Sequence, residues 1–119
     1  DAVRFAGRNI STLEVEGVVL RHPAVREAAA FGIPSAQLAS EDELKVNVVL
    51  HPGQELRPEA LCEFINSNAP HYFVPRYVEF VDSLPYTPTN KVQKFALREA
   101  GITQRTWDRH QSGFKVQKQ

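Results

Sequence analysis

The chain has 119 residues, of which 42% are apolar, and its fourteen basic and fourteen acidic side chains cancel. This length fits one domain with a compact core. The balanced charge disfavours nucleic-acid binding, because no overall positive field would gather a phosphate backbone, although local basic clusters can still meet small anions. Cys62 is the single cysteine. It excludes an intrachain disulfide and a multi-cysteine metal site, which favours a reducing cytoplasm.

The first part of the chain predicts a hairpin followed by a helix. Residues 2–10 contain a turn-like GRN triplet between short apolar stretches, so we expect a small hairpin with Gly7 at its bend. Ser11 and Glu14 have the spacing of a capping box. They predict the start of a helix that ends before Pro23.

The middle of the chain predicts two strands, a helix and a third strand. Residues 25–33 are rich in Val and Ala, and residues 44–50 alternate apolar side chains with others, so both stretches predict strands. Pro58 suits a first helical turn, and the apolar positions after it predict a helix to about Asn68 with Cys62 toward the core. The aromatic and β-branched residues 77–81 predict the next strand.

The last part of the chain predicts a loop, a short helix and a polar tail. Residues 86–90 read as a loop, a helix should follow from about Gln93 to a stop at Gly101, and residues 101–119 are mostly polar. No apolar run approaches the roughly 20 residues of a membrane-spanning helix, so we expect no membrane span. The fold class is therefore α+β: a small β-sheet with an N-terminal hairpin, covered by two or three helices.

The sequence LPYTPTNKVQK, residues 84–94, is the most unusual local stretch. Its two prolines and two threonines fix a loop that delivers Lys91 just ahead of a helix. A lysine ammonium group on its long stem suits phosphate or carboxylate oxygens that gain charge as a bond forms. Taken alone, however, a lysine in a polar loop is more often a solvated surface charge.

Other candidate residues also have a structural and a functional interpretation. Gly7 fits either a turn or a close approach of backbone to a ligand. Arg8 and Arg76 fit either phosphate binding or surface packing and pairing. The four histidines lack the spacing of a metal cluster, so we expect no metal site. Neither a Walker loop nor a G-x-S-x-G motif occurs, so a nucleotide would need groups outside this chain and a free-standing hydrolase is disfavoured.

Several motifs occur in the order found in one protein family. Residues 1–16 are similar to D-x-I-x-x-x-G-E-N-I-S followed by E-V-E, residues 22–34 to H-P-x-V-x-E-A-A and G-x-P, residues 72–76 to Y-x-V-P-R, and residues 84–94 to L-P-x-T-x-T-G-K-V-x-K. On these motifs the chain resembles the C-terminal domain of the adenylate-forming acyl-CoA synthetases. Residues 106–109 are similar to the tail of the crotonobetaine/carnitine-CoA ligase-like branch. The chain departs from the family pattern at Arg8, where glutamate is usual, and at Asn90, where glycine is usual.

The resemblance implies that residues 1–119 form one C-terminal lid domain, whose partner is a large N-terminal domain outside this sequence. It implies two reactions: a small-molecule carboxylic acid and ATP give acyl-AMP and pyrophosphate, and coenzyme A then displaces AMP. Lys91 would be the catalytic residue of the first reaction. Ala6, Gly7, Arg8 and Arg76 would bind cofactor, the first three on the coenzyme A side. ATP, coenzyme A and Mg²⁺ would not be held tightly by this domain alone.

Two alternatives stay open beside this interpretation. One keeps the fold but passes the adenylate to a carrier-protein thiol, although the sequence from Gly7 to Glu16 favours the coenzyme A branch. The other is a non-catalytic interaction module whose resemblance is only structural, and the retained Lys91 argues against it.

Overall fold

The computed structural model describes residues 2–38 and 40–118. The strands are β1 (Ala2–Phe5), β2 (Arg8–Ser11), β3 (Val25–Pro34), β4 (Asp42–Leu50), β5 (Tyr77–Phe80) and β6 (Trp107–Asp108). The helices are α1 (Thr12–Leu20), α2 (Pro58–Asn68), α3 (Lys94–Ala100), the single turn α4 (Arg109–Ser112) and a short 3₁₀ helix (His71–Phe73). The predicted α+β class and the N-terminal hairpin are confirmed.

The strands form two sheets. Strands β1 and β2 pair as an antiparallel hairpin, while the larger sheet has the order β3-β4-β5-β6. Within the larger sheet β4 and β5 are parallel and the other neighbours are antiparallel. A parallel pair needs a long crossover connection, and here the connection contains α2.

The start of each of the two longest helices agrees with the sequence prediction. The Ser11 hydroxyl accepts a hydrogen bond from the Glu14 amide at 3.3 Å, so the predicted cap starts α1. Pro58 is the first residue of α2, where its missing amide hydrogen leaves no partner unsatisfied. Cys62 is fully buried as predicted. That burial raises the pKa of its thiol to about 12, so the side chain behaves as a small apolar core residue.

The four-stranded sheet has a hydrophobic core on each face. The first core joins the hairpin, α1 and α2 to the sheet, and its members include Val3, Ile10, Val15, Val19, Val46, Val48, Leu61, Ile65 and Val78. The second core joins α3 and the segment before it to the sheet, and it consists of Ala29, Phe31, Ile33, Val49, Leu84 and Leu97. Because successive strand residues point to opposite faces, the two cores lie on opposite sides of the sheet. We call these sides the hairpin face and the α3 face.

A buried ionic network lies on the α3 face. The Lys45 side chain is 1% exposed, and its ammonium group donates to Glu79 Oε1 and to the Gly101 carbonyl, each at 2.7 Å. The same Glu79 oxygen accepts from the hydroxyls of Thr103 at 2.9 Å and Thr106 at 3.0 Å. Burial alone would raise the pKa of Glu79, but these donors together lower it. The network therefore ties the chain just after α3 to the sheet.

The segment after α3, predicted only as a polar tail, packs against the rest of the fold. Its strand β6 extends the sheet, and Phe114 and Val116 pack against the first core. The Asn66 side chain then holds the backbone of Gln117, donating to its carbonyl at 2.9 Å and accepting from its amide at 2.6 Å. This clamp fixes the extended end of the chain along α2.

Candidate functional site

The backbone around Lys91 is fixed by a compact set of hydrogen bonds. The Thr87 amide donates to the Lys91 carbonyl at 2.7 Å, and the Lys91 amide donates to the Thr87 hydroxyl at 3.1 Å. Asn90 has a φ of 67°. This is a left-handed conformation at the position where the family pattern has glycine, and asparagine tolerates it better than most residues. Val92 then packs against the second core, which places the loop on the α3 face.

The Lys91 side chain makes no ion pair or hydrogen bond with the described part of the chain. It is exposed, and within residues 2–38 and 40–118 no acceptor or carboxylate contacts its ammonium group. Lys94, the first residue of α3, behaves differently, because its ammonium group bonds to Glu16 at 2.8 Å and to Thr12 at 3.3 Å. The structure thus anchors the lysine that begins the helix and leaves Lys91 available for an external anion.

The hairpin turn is the second candidate region. Ala6 has a φ of 51° and Gly7 a φ of 78°. Two consecutive left-handed residues between paired strands are the mark of a type I′ turn, whose twist suits a tight hairpin. A Cβ added at Gly7 would meet nothing within 4 Å, so the turn's outer surface is open. The Gly7 amide lies 3.3 Å from Glu41 Oε2, which accepts its hydrogen bond.

A groove runs beside this hairpin. Its volume is about 350 Å³, and its wall includes Phe5, Ala6, Arg8, Tyr72, Arg109 and Lys118. The Arg8 guanidinium lies over the Tyr72 ring, 4.3 Å from its centre, and this cation–π contact holds the arginine in place. Ala6 and Arg8, predicted together, therefore share one groove, and Gly7 sits at its edge in the same turn.

Arg76 lies in a different setting from the other predicted cofactor-binding residues. Its guanidinium donates to both carboxylate oxygens of Asp108, at 3.1 and 3.3 Å, and to Glu43 at 3.1 Å. It also stacks on Tyr77, 4.9 Å from the ring centre. The hydrogen bond to Asp108 raises the pKa of Arg76. These contacts favour the structural interpretation, in which Arg76 joins β5 to β6, and a role in cofactor binding stays a prediction.

Burial alone would raise the pKa of Asp108, but the hydrogen bonds from Arg76 and the His110 amide lower it overall. Asp108 is therefore a stable carboxylate partner for Arg76.

In the part of the chain that the structure describes, no three acidic, histidine or cysteine side chains cluster as a metal site. None of the described helices has the length and apolar character needed to span a bilayer.

Sequence reasoning missed two residues of the groove, Arg109 and Lys118. Both lie in the segment predicted as a polar tail, where nothing in the spacing indicated contact with the hairpin. Lys91 and the groove are not brought together, because the Lys91 loop packs on the α3 face and the hairpin packs on the other.

The comparisons with known proteins agree with this fold. The family model described as the AMP-binding enzyme C-terminal domain matches residues 14–91. The chain is 38% identical to the probable acyl-activating enzyme 4 of Arabidopsis thaliana over 99 residues, which cover 83% of this chain and 18% of that protein. It is 39% identical to the benzoate–CoA ligase of Thauera aromatica over 107 residues, which cover 84% of this chain and 19% of the ligase.

A solved structure gives the same result. The Brucella canis acyl-CoA synthetase superposes with a TM-score of 0.77 at 37% identity, over 84% of this chain and 19% of that one. The chain belongs to the AMP-binding enzyme C-terminal domain family. It spans less than a fifth of the length of the curated relatives described above, at 18% and 19%.

Proposed function

We propose that this chain is the C-terminal lid domain of an ATP-dependent acyl-CoA ligase. In the first reaction a carboxylate oxygen attacks the α-phosphorus of ATP, which forms acyl-AMP and releases pyrophosphate. In the second reaction the sulfur of coenzyme A attacks the acyl carbon, loses its proton and releases AMP. The observation that carries the proposal is the presentation of Lys91 and of the hairpin on opposite faces of one sheet.

Lys91 serves the first reaction. Its loop is fixed by hydrogen bonds on both sides of the residue, while its ammonium group contacts no acceptor in the described part of the chain. A cation positioned in this way stabilises the negative charge that develops on the carboxylate and α-phosphate oxygens. Little reorganisation is needed at the moment of reaction, because the backbone is already in place.

The hairpin serves the second reaction. Its exposed turn at Ala6 and Gly7 presents backbone without side-chain bulk, which suits close approach of the extended thiol arm of coenzyme A. Since the two regions face opposite ways, the domain rotates between the reactions so that each region in turn meets the same site. The rest of the enzyme supplies that site.

The partner, ligands and compartment follow from the same proposal. The acyl pocket and most contacts to ATP and Mg²⁺ belong to a larger N-terminal region, as the 18% and 19% coverage of the relatives supports. The described residues offer no metal cluster, so we assign Mg²⁺ no ligand in this chain. We place the enzyme in the cytoplasm, because the one cysteine of these 119 residues, Cys62, is buried and free.

The test compares the two reactions in the intact enzyme carrying Lys91→Ala. Removing one preorganised charge contact should slow acyl-AMP formation about a hundredfold or more. Thioester formation from ready-made acyl-AMP should be largely unchanged, because Lys91 has then left the site. Lys115→Ala is the matched control, since Lys115 is an exposed lysine outside both candidate regions.

Each result has a distinct meaning. Loss of the first reaction alone supports the proposed role of Lys91. Equal rates for Lys91→Ala and Lys115→Ala in both reactions would make Lys91 an ordinary surface lysine and would reject the catalytic role. Parallel losses in both reactions, with an unchanged unfolding midpoint, would reject the division of labour between the two faces.

A further inference from the structure

The groove beside the hairpin is locally cationic in a chain whose formal net charge is zero. Arg8, Arg109 and Lys118 all lie in its wall. Glu43 also lies there, but its carboxylate already accepts a hydrogen bond from Arg76 at 3.1 Å. Among the described residues of the groove wall, positive side chains therefore outnumber negative ones three to one.

Arg109 is the least exposed of these three cations. Its Nε donates to the Pro75 carbonyl at 3.0 Å, which fixes the plane of the guanidinium. Among the described residues nothing accepts from its two terminal nitrogens. Burial lowers the pKa of Arg109, and the charges of Glu43 and Asp108 offset only part of that effect. A partly desolvated guanidinium with free donors is stabilised by an anion.

Arg8 is fixed by a different contact. Its guanidinium lies over the Tyr72 ring, 4.3 Å from the ring centre. Among the described residues no carboxylate or carbonyl accepts a hydrogen bond from its N–H groups. Two guanidinium groups in one groove, each held by a single contact, offer forked donors that match the geometry of phosphate oxygens.

Lys118 completes the wall from the end of the chain. The clamp between Asn66 and the Gln117 backbone, at 2.6 and 2.9 Å, fixes the residue directly before it. Arg8, Arg109 and Lys118 all lie outside residues 14–91, the part that the family model matches. The segment after α3 contributes two of these three cations to the groove wall.

We propose that this groove is a phosphate-binding site in which Arg8, Arg109 and Lys118 hold the ligand. The ligand class is a phosphate monoester or a diphosphate. Its source is either the phosphates of coenzyme A or a free anion such as pyrophosphate, and the first source rests on the proposed function. If the phosphates of coenzyme A bind in this groove, the rest of that extended molecule can pass beside the exposed turn at Gly7.

The first experiment measures binding by amide chemical shifts in the 119-residue chain. Inorganic pyrophosphate, coenzyme A and pantetheine, which has no phosphate, are titrated separately. Pyrophosphate or coenzyme A should shift the amides of Arg8, Tyr72 and Lys118, and pantetheine should not. A response to coenzyme A alone identifies the ester as the source, and a response to pyrophosphate alone identifies the free anion. No response to either would overturn the proposal.

Paired variants assign the binding to these side chains. Lys118→Gln and Arg8→Gln should each raise the Kd of the responding phosphate ligand about tenfold, which corresponds to about 1.4 kcal/mol. Lys115→Gln and Arg4→Gln are matched controls, because both residues are exposed and lie outside the groove wall. Equal Kd values in variants and controls would mean that the cations are merely solvated, and the proposal would be wrong.

For Arg109→Gln, both the Kd of the phosphate ligand and the unfolding midpoint are measured. The midpoint is needed because this change also removes the hydrogen bond to the Pro75 carbonyl. The intact enzyme separates this proposal from the proposed function. If it forms no acyl-AMP or thioester while the groove still binds phosphate, the ligase function fails and the site stands. If the ligase is active but no phosphate binds in the groove, the site fails and the function stands.

Discussion

The two faces of the sheet hold their exposed functional candidates by different physical means. On the α3 face, Lys91 precedes a helix whose far end is tied to the sheet by the buried pair Lys45 and Glu79, with an N–O distance of 2.7 Å. On the hairpin face, the turn at Ala6 and Gly7 is carried by two strands whose Val3 and Ile10 side chains are buried in an apolar core. The α3 face adds a buried ion pair to its own apolar core, whereas the hairpin depends on apolar packing and on backbone conformation.

This difference matches what each region would contribute to catalysis. A charged group must be aimed, and hydrogen bonds and ion pairs fix direction as well as position. A turn that must stay small needs only apolar packing beneath it and left-handed residues at its tip. The comparison therefore predicts that damage to the buried ion pair affects mainly the reaction served by Lys91, and that added bulk at the turn affects mainly the other.

The largest expected effect comes from Lys45→Met. The change leaves the Glu79 carboxylate buried without its cation and frees the Gly101 carbonyl. Breaking a buried pair from one side typically lowers the free energy of unfolding by about 3–5 kcal/mol. Urea unfolding of the chain measures this loss. At a temperature where the intact enzyme stays folded, adenylation should fall more than thioester formation.

Lys115→Met is the matched control for that change, because it removes an exposed lysine and should alter stability by no more than about 0.5 kcal/mol. A loss below about 1 kcal/mol in Lys45→Met would show that the pair contributes little. Equal losses in both reactions would show that it supports the whole domain rather than the Lys91 face.

A smaller effect is expected from Gly7→Asn on the hairpin face. Asparagine tolerates the φ of 78°, and its Cβ meets open space, so we expect stability to change by less than about 1 kcal/mol. If the thiol arm passes close to this turn, the added side chain obstructs it. Thioester formation should then slow about tenfold, with adenylation unchanged, because small displacements of a reacting group cost rate steeply.

Gly53→Asn controls for the backbone conformation alone. Gly53 has a φ of 79° and open space around its Cβ position, but it lies in the turn after β4, outside both candidate regions. If Gly7→Asn and Gly53→Asn support the same rate of thioester formation, Gly7 is a turn residue without a ligand beside it.

Much of the fold was predictable because its signals are local. The Ser11 cap, the glycine at the hairpin bend and the proline that begins α2 each act over a few residues. Lys91 was likewise found from its loop, in which the left-handed Asn90 occupies the position that glycine holds in the family pattern. No local pattern predicted that the Lys91 loop and the hairpin lie on opposite faces, because that arrangement arises from the sheet between them.

The non-local features were missed. Lys45 sits at an alternating position of β4, a pattern usual for a strand with one face in water, yet α3 and its flanking segments cover that face and bury it. Its partners lie 34 and 56 residues away. The end of the chain was read as a polar tail because Arg109 and Lys118 are polar. Their placement depends on the two-residue strand β6 and on the Asn66 clamp, which leave no periodic signal.

The smallest expected effect tests how far the conformation of Asn90 directs Lys91. Alanine is less tolerant than asparagine of the φ of 67° at this position, so Asn90→Ala should destabilise the loop by about 1 kcal/mol. The loop then spends time in other conformations, and adenylation should slow by a few fold while thioester formation is unchanged. Asn90→Gly removes the strain and should keep adenylation within about twofold of the wild type. Ala6→Gly is the control on the opposite face: it relieves the positive φ of 51° at Ala6 and should not change the rate of adenylation. Equal adenylation rates in Asn90→Ala and Asn90→Gly would mean that the threonine hydrogen bonds hold Lys91 without help from this backbone position.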